Sequence, residues 1–378
     1  MLDLARDTIF VTLAGSQAHG TAREGSDVDL RGVCIAPLDL RVSLFQEFEQ
    51  FEGVLDGTLW STVLPALERH PTASRGMAFK TEAVIFDIAK FLRLCAAANP
   101  NALEILFADE GDWLYETPAW RRLHAERQRF LSRKVQQTYL GYAMAQLKKI
   151  KTHRSWLLEP PPRKPTREDF GLPAAATVGR DDQNRIEQSI AEKIRSYGVD
   201  TVEMSKAARI AIEERMRAFW EDTLAASDDQ LDERVRAVAT HALQLPAETV
   251  SALNAERRYR SALKHWEAYQ AWKSERNPAR AELERRHGYD TKHAMHLVRL
   301  MRTGVELLQL GELRVRRKDA AELNAVRDGA MTFEELQNFA NDLHGKMLEA
   351  ATTTSLPADV DHAFVDRMAF EMIGDGAS

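Results

Sequence analysis

Residues 8–33 read TIFVTLAGSQAHGTAREGSDVDLRGV, and the fold expectation starts from this stretch. Its first seven residues, TIFVTLA, are short, apolar and β-branched and run into Gly15, the pattern of a strand that ends in a turn. Residues 17–26 are polar and carry Gly20 and Gly25, which reads as a turn or a short helix with loops. A second strand is expected over residues 28–35, where apolar and polar residues begin by alternating. Alternate side chains of a strand share a face, so Asp27 and Asp29 point one way while Val28 and Leu30 enter the core.

Two carboxylates so close repel each other and raise a pKa unless a cation lies between them. A divalent ion satisfies both, and Mg²⁺ in particular favours carboxylates together with substrate phosphate oxygens. A lone Asp-x-Asp is most often a solvated edge. Here a strand-terminal Gly15-Ser16 precedes Asp27 by ten residues, and the combination is far more specific. Glycine lets backbone approach a ligand, and exposed N–H groups with a hydroxyl hold phosphate oxygens. Phosphoryl-transfer chemistry, which depends on positioning and charge neutralisation, is the expectation.

Outward from this stretch, AVIF at residues 83–86 is a third strand candidate led by Glu82. Ile88, Phe91, Leu92 and Cys95 then recur at helical spacing, with Asp87 placed to cap that helix and Asn99-Pro100 to stop it. Beyond Trp120 nearly everything reads as helix, with breaks at Asn277-Pro278 and Gly311, up to about residue 375. Residues 159–173, EPPPRKPTREDFGLP, hold five prolines and fit neither a helix nor a central strand. They are expected to form an arm or linker, and the irregular stretch continues through residues 174–183.

The bulk properties are those of an ordinary globular chain. Its 378 residues, 44% hydrophobic and 29% charged, suffice for two domains. A net charge of −6 argues against non-specific coating of nucleic acid but leaves room for local basic grooves. Basic runs occur at residues 121–134, 148–154 and 314–318, and solvated helix faces look the same. Cys34 and Cys95 have no paired spacing, so neither a disulfide framework nor a zinc motif is suggested. No apolar run is long enough for a membrane span and the start has no apolar leader, so a cytoplasmic protein is expected.

The Gly-Ser, ten-residue spacer and Asp-x-Asp resemble the signature of the DNA polymerase β-like nucleotidyltransferase superfamily. With Arg31-Gly32-Val33 after the aspartates, the chain resembles more narrowly the bacterial and phage branch of RNA-ligase-associated, RNA-repair enzymes. FDIAKFLRLCAAANPNALEILF (86–107), RSWLLEPPPRKPTREDFGLP (154–173) and GYDTKHAMHLVRLMRTGVELL (288–308) look like the same branch. The resemblance implies an α+β fold: a small mixed-sheet nucleotidyltransferase domain over residues 1–118, then a long, mostly α-helical domain over 119–378 that carries the arm. It implies Gly15 and Ser16 on the triphosphate, with His19 and Arg31 beside it, and Asp27, Asp29 and a third carboxylate on Mg²⁺ or Mn²⁺. That third ligand and proton acceptor is expected at Glu82 in preference to Asp87, although the superfamily usually places an aspartate there.

Asp290 is placed to cap a helix on which Lys292 and His296, four residues apart, share a face. The resemblance supports both as nucleotide contacts; a polar helix face at a domain interface, or a zinc pair of His293 and His296, are the alternatives. Arg154, Arg163, Lys164 and Arg167 with Trp156 and Phe170 combine cations and aromatics, as single-strand grooves do, or simply pack on the helices. The expected reaction is transfer of NMP from an NTP to a hydroxyl, on an RNA or tRNA end, beside an RNA ligase or other repair partner implied by the resemblance. Transfer to a protein hydroxyl, and a non-catalytic nucleotide- or RNA-binding module, are the rival expectations.

Overall fold

The computed structural model describes residues 2–76, 81–174, 180–197, 206–225, 241–243 and 247–375. Contacts divide the chain into two units, Met1–Leu158 with Pro278–Ser378, and Glu159–Asn277. Residue 118, the end expected for the sheet domain, therefore lies inside the first unit, whose sheet and C-terminal helices are one body.

That unit is built on five strands, β1 (Thr8–Ala14), β2 (Val28–Cys34), β3 (Gln50–Gly53), β4 (Thr81–Asp87) and β5 (Trp113–Glu116). Their order across the sheet is β3-β4-β2-β1-β5. The β2–β4 pair is parallel and the other three pairs are antiparallel, so the sheet is mixed. Strands β1, β2 and β4 were legible as apolar runs. The four-residue strands β3 and β5 were not, because a segment that short becomes a strand through its partner rather than its pattern.

The two sides of the sheet face different cores. Val11, Leu13, Val28, Leu30, Ala83 and Ile85 point to one side and pack on Leu59, Val63 and Leu67 of α2 (Gly57–Arg69). Phe10, Val33 and Phe86 point to the other. There they meet α3 (Ile88–Ala96), α4 (Pro100–Leu106), α5 (Val135–Leu158) and α7 (Thr291–Leu310); α1 is Gly15–His19 and α6 is Pro278–His287. Phe10 is fully buried and stacks on Trp120 at 3.7 Å between centroids, a burial that contributes about 1.5–3 kcal/mol.

Helix α7 is the centre of the helical part. Asp290 caps its start by accepting from the His293 N–H, and Gly311 at φ 66° ends it. Ala294, Leu297, Met301 and Leu308 are buried along one face, and Met295 and Leu300 are buried on others, because α5, α8 (Phe333–Thr353) and the helix Ala320–Arg327 pack around it. A Cβ on Gly304 would lie 2.6 Å from Met347 Cε and 3.2 Å from Tyr139 Cβ, so a larger residue here would make the Met347 side chain and the Tyr139 helix give way.

In the second unit, Ile190, Ile194, Trp220 and Leu243 form a small core among the helices Arg180–Ser196, Lys206–Ala225 and Ala247–Glu275. The proline arm is irregular, with one helical turn at Glu168–Phe170. Its cations are engaged within the unit: Arg163 with Asp169 at 2.6 Å, and Arg167 with Glu256 at 2.8 Å and over the Tyr259 ring. Phe170 meets Tyr259 edge-on, and Lys164 lies over Trp266. Of the irregular stretch expected over 174–183, residues 175–179 lie outside the described residues, and helix begins at Arg180.

Candidate active site

Gly15 follows β1 directly and opens α1 with φ 57°. In this left-handed conformation a Cβ would meet Asp29 Oδ2 at 2.5 Å and Asp29 Cγ at 3.3 Å. The glycine thus serves both the turn and the close approach of backbone to carboxylate. Ser16 is next in the same turn, half-buried, and its carbonyl accepts from the Thr21 N–H at 2.9 Å.

Strand register does the rest. Ala14 pairs with Asp29 across β1–β2, and Asp29 pairs with Glu82 across β2–β4. Side chains in register on neighbouring strands share a face about 5 Å apart. Val28 and Leu30 are fully buried on the α2 side, which leaves Asp29 and Arg31 on the opposite face with Glu82, Val84 and Phe86. Asp27 is exposed in the loop immediately before β2, one residue short of the expected strand face. The Arg31 guanidinium donates to the Leu30 carbonyl at 2.8 Å and stands 3.9 Å from the Asp29 carboxylate.

Asp87 occupies a different position. It pairs with Cys34, five residues along from the Asp29–Glu82 rung and so about 16 Å away. There it accepts from the Ala89 N–H at 2.9 Å as the N-cap of α3, from the Ala36 N–H, and from Arg41 at 2.6 Å. Those bonds commit Asp87 to the fold.

A cleft of about 570 Å³ lies on this face of the sheet. Gly15, His19 and Arg31 line one wall, and Lys292 and His296 the other. Burial depresses the Lys292 ammonium pKa, helped by Arg280 and Arg327, while Asp27 and Asp29 act in the opposite sense. Both aspartates therefore lie within electrostatic range of a lysine more than 260 residues later in the chain.

His19 is buried, and its Nε2 meets Glu104 Oε2 at 2.9 Å; Glu104 in turn pairs with Arg299 of α7. Burial lowers the His19 pKa and the Arg299 cation adds to this, against the pull of Glu104. Burial likewise holds His296 well below the usual histidine range, with Arg299 and Lys292 adding to it. Both rings are neutral near pH 7 and contribute hydrogen bonds rather than charge. Glu104 has lost water too, yet Arg299 and His19 outweigh that and keep its carboxyl well below the usual range. Glu104 and Arg299 line the cleft without any local motif that announces them.

His293 contacts Gln146 and Asp290, and the His287 ring lies against Gly329. In two of the basic runs, 121–134 and 314–318, several cations are paired. Lys134 meets Asp359 at 2.6 Å, Arg317 meets Glu306 at 2.6 Å, and Arg316 contacts Asp112. Cys34 and Cys95 are buried and free, and burial pushes the Cys34 thiol up to about 12. Among the described residues no helix is long and apolar enough to cross a membrane.

No curated protein and no solved structure matches the chain. The sheet with its Gly15, Asp29 and Glu82 rung falls in the part of the chain that a known family does match, and α6 and α7 lie beyond it. Residues 5–157, the segment that carries the whole sheet, match the RNA repair pathway DNA polymerase beta family.

Proposed function

We propose that the cleft transfers a nucleoside monophosphate from an NTP to a hydroxyl at an RNA end, in a reaction that depends on Mg²⁺ or Mn²⁺. The observation that carries this reading is the rung Ala14–Asp29–Glu82, which sets Gly15 and two carboxylates side by side, with Lys292 within electrostatic range of Asp29. Asp27, Asp29 and Glu82 would hold the divalent ion. An all-oxygen donor set suits Mg²⁺. Bound there, the ion supplies charge neutralisation on the phosphates and acidifies the attacking hydroxyl.

The chain's own groups have separate tasks. Gly15 lets the triphosphate lie against backbone, and the Ser16 hydroxyl positions its outer phosphates. Arg31 and Lys292 add positive charge to the same cleft, Lys292 as a point charge on phosphate oxygen. The neutral rings of His19 and His296 hydrogen-bond the nucleotide. Glu82 accepts the proton as the acceptor oxygen attacks the α-phosphorus; the bond to the bridging α–β oxygen breaks, and pyrophosphate leaves. The RNA repair family that residues 5–157 match supports an RNA acceptor and a repair partner such as an RNA ligase.

The test is transfer of label from each α-³²P NTP, with Mg²⁺ or Mn²⁺, into total RNA, purified tRNA and protein. Wild type and Asp29→Ala are run together. Label in RNA that disappears in Asp29→Ala is the expected result. Label in protein alone moves the acceptor to a protein hydroxyl. NTP binding without label in any acceptor overturns the transferase reading in favour of a nucleotide-binding module.

A further inference from the structure

Away from the carboxylate rung, three side chains converge between α5 and the start of α7. His153 lies near the end of α5, Asp290 is the N-cap of α7, and His293 is in its first turn. One ligand atom from each lies within 4.8 Å of the other two. His153 Nδ1 is 3.0 Å from Asp290 Oδ2, and His293 Nε2 is 3.6 Å from the same oxygen. We propose that His153, Asp290 and His293 bind one divalent transition-metal ion of the zinc class.

The separations fit such an ion. Zinc holds imidazole nitrogen and carboxylate oxygen at about 2.0–2.2 Å in a tetrahedron, so neighbouring ligand atoms stand roughly 3.3–3.5 Å apart. The two measured separations bracket that value, and small rotations of the rings reach it. Two imidazoles and one carboxylate select zinc, cobalt(II) or nickel(II) over magnesium, which favours oxygen donors.

The surroundings orient the donors as metal ligands need. His293 Nδ1 is 2.7 Å from Gln146 Oε1, to which it donates its proton. The ring's other nitrogen, Nε2, then directs its lone pair at Asp290 Oδ2. Two electron-rich atoms facing each other repel, and a cation between them turns the repulsion into two bonds. Asp290 is divided the same way. Its Oδ1 accepts from the His293 N–H at 3.1 Å in capping the helix, and its Oδ2 faces the cluster. Arg280 also donates to Oδ2, which has a second lone pair for the metal. A second layer of this kind, a ligand histidine held through its other nitrogen, is general to metal sites.

Gln146, Arg280 and His293 also line the nucleotide cleft, so ions reach the cluster from solvent and a water can complete its fourth position. The ion would clasp α5 to the turn of α7 that presents Lys292. Its role is bracing, and it is separate from the oxygen-only site at Asp27, Asp29 and Glu82.

The experiment uses the full-length protein, stripped with chelator and titrated with Co²⁺ while visible d–d absorption is followed. The expected result is one equivalent of Co²⁺ with the intense spectrum of a four-coordinate nitrogen-containing site, bleached by Zn²⁺ and unaffected by excess Mg²⁺. His153→Gln and His293→Gln each reduce Co²⁺ affinity at least tenfold, while Asp29→Ala leaves it unchanged. Far-UV circular dichroism identifies any variant that has not folded, and the second histidine variant then decides. The proposal is overturned if Co²⁺ gives no such spectrum, if folded histidine variants bind like wild type, or if the signal depends on Asp29.

Discussion

A Cβ placed on Gly15 would stand 2.5 Å from Oδ2 of Asp29, closer than non-bonded atoms approach. Gly15→Ala is therefore expected to fail twice. Its φ of 57° costs an L-residue about 1–2 kcal/mol, and the methyl displaces the carboxylate that the proposed reaction needs. The expected outcome is a thermal midpoint several degrees lower and nucleotidyl transfer reduced at least a hundredfold. Wild-type transfer by a folded Gly15→Ala protein would remove the contact from the mechanism.

Glu82 and Asp87 lie at opposite ends of β4, and their amide variants should separate activity from stability. Glu82→Gln is expected to lower turnover about 10²–10⁴-fold, the range for losing a proton acceptor, with little change in unfolding. Asp87→Asn weakens the α3 cap and the Arg41 ion pair, at a cost of about 0.5–2 kcal/mol in urea unfolding, and leaves turnover within a few-fold. The reverse pattern would reassign the third carboxylate.

Lys292→Met removes a cation within electrostatic range of Asp27 and Asp29. A hydrogen bond to a charged group is worth about 1.5–3 kcal/mol, so the KM for NTP should rise roughly 10- to 100-fold. Steady-state kinetics at two salt concentrations would check this; an unchanged KM would place Lys292 outside the triphosphate site.

Arg299→Met strands the Glu104 carboxylate in a largely dry setting, with His19 as its remaining partner. Breaking a buried pair from one side costs about 3–5 kcal/mol, and the double variant Glu104→Leu with Arg299→Met should recover part of that loss. Urea unfolding of the three variants tests the coupling, and a double variant less stable than Arg299→Met alone would contradict it.

His124 lies between Trp113 and Trp120, where burial lowers its pKa to about 4, helped by Arg127 and Arg121. In the unfolded chain the ring titrates near 6.5, so between about pH 4 and 6.5 the unfolded state binds more protons. This contribution to stability is complete above pH 6.5 and is lost as pH falls towards 4. Thermal unfolding across that window should show a smaller slope in His124→Phe than in wild type; equal slopes would assign the acid sensitivity to other groups.

Sequence alone determined the parts of this protein that local chemistry writes. Strand β1, the turn at Gly15, strand β2 and the Asp87 cap were legible because periodicity and capping act within a few residues. Asp290 was legible as a helix cap for the same reason. Tertiary structure decided what depends on partners distant in the chain. The parallel register that puts Glu82 beside Asp29, the edge strands β3 and β5, and the return of Lys292 to the cleft all belong to that group. So do the Glu104–Arg299 pair and the convergence of His153 with Asp290 and His293. A strand's own pattern says which face a side chain takes, but register and helix packing come from closing long loops over a shared core. No local run of residues records that choice.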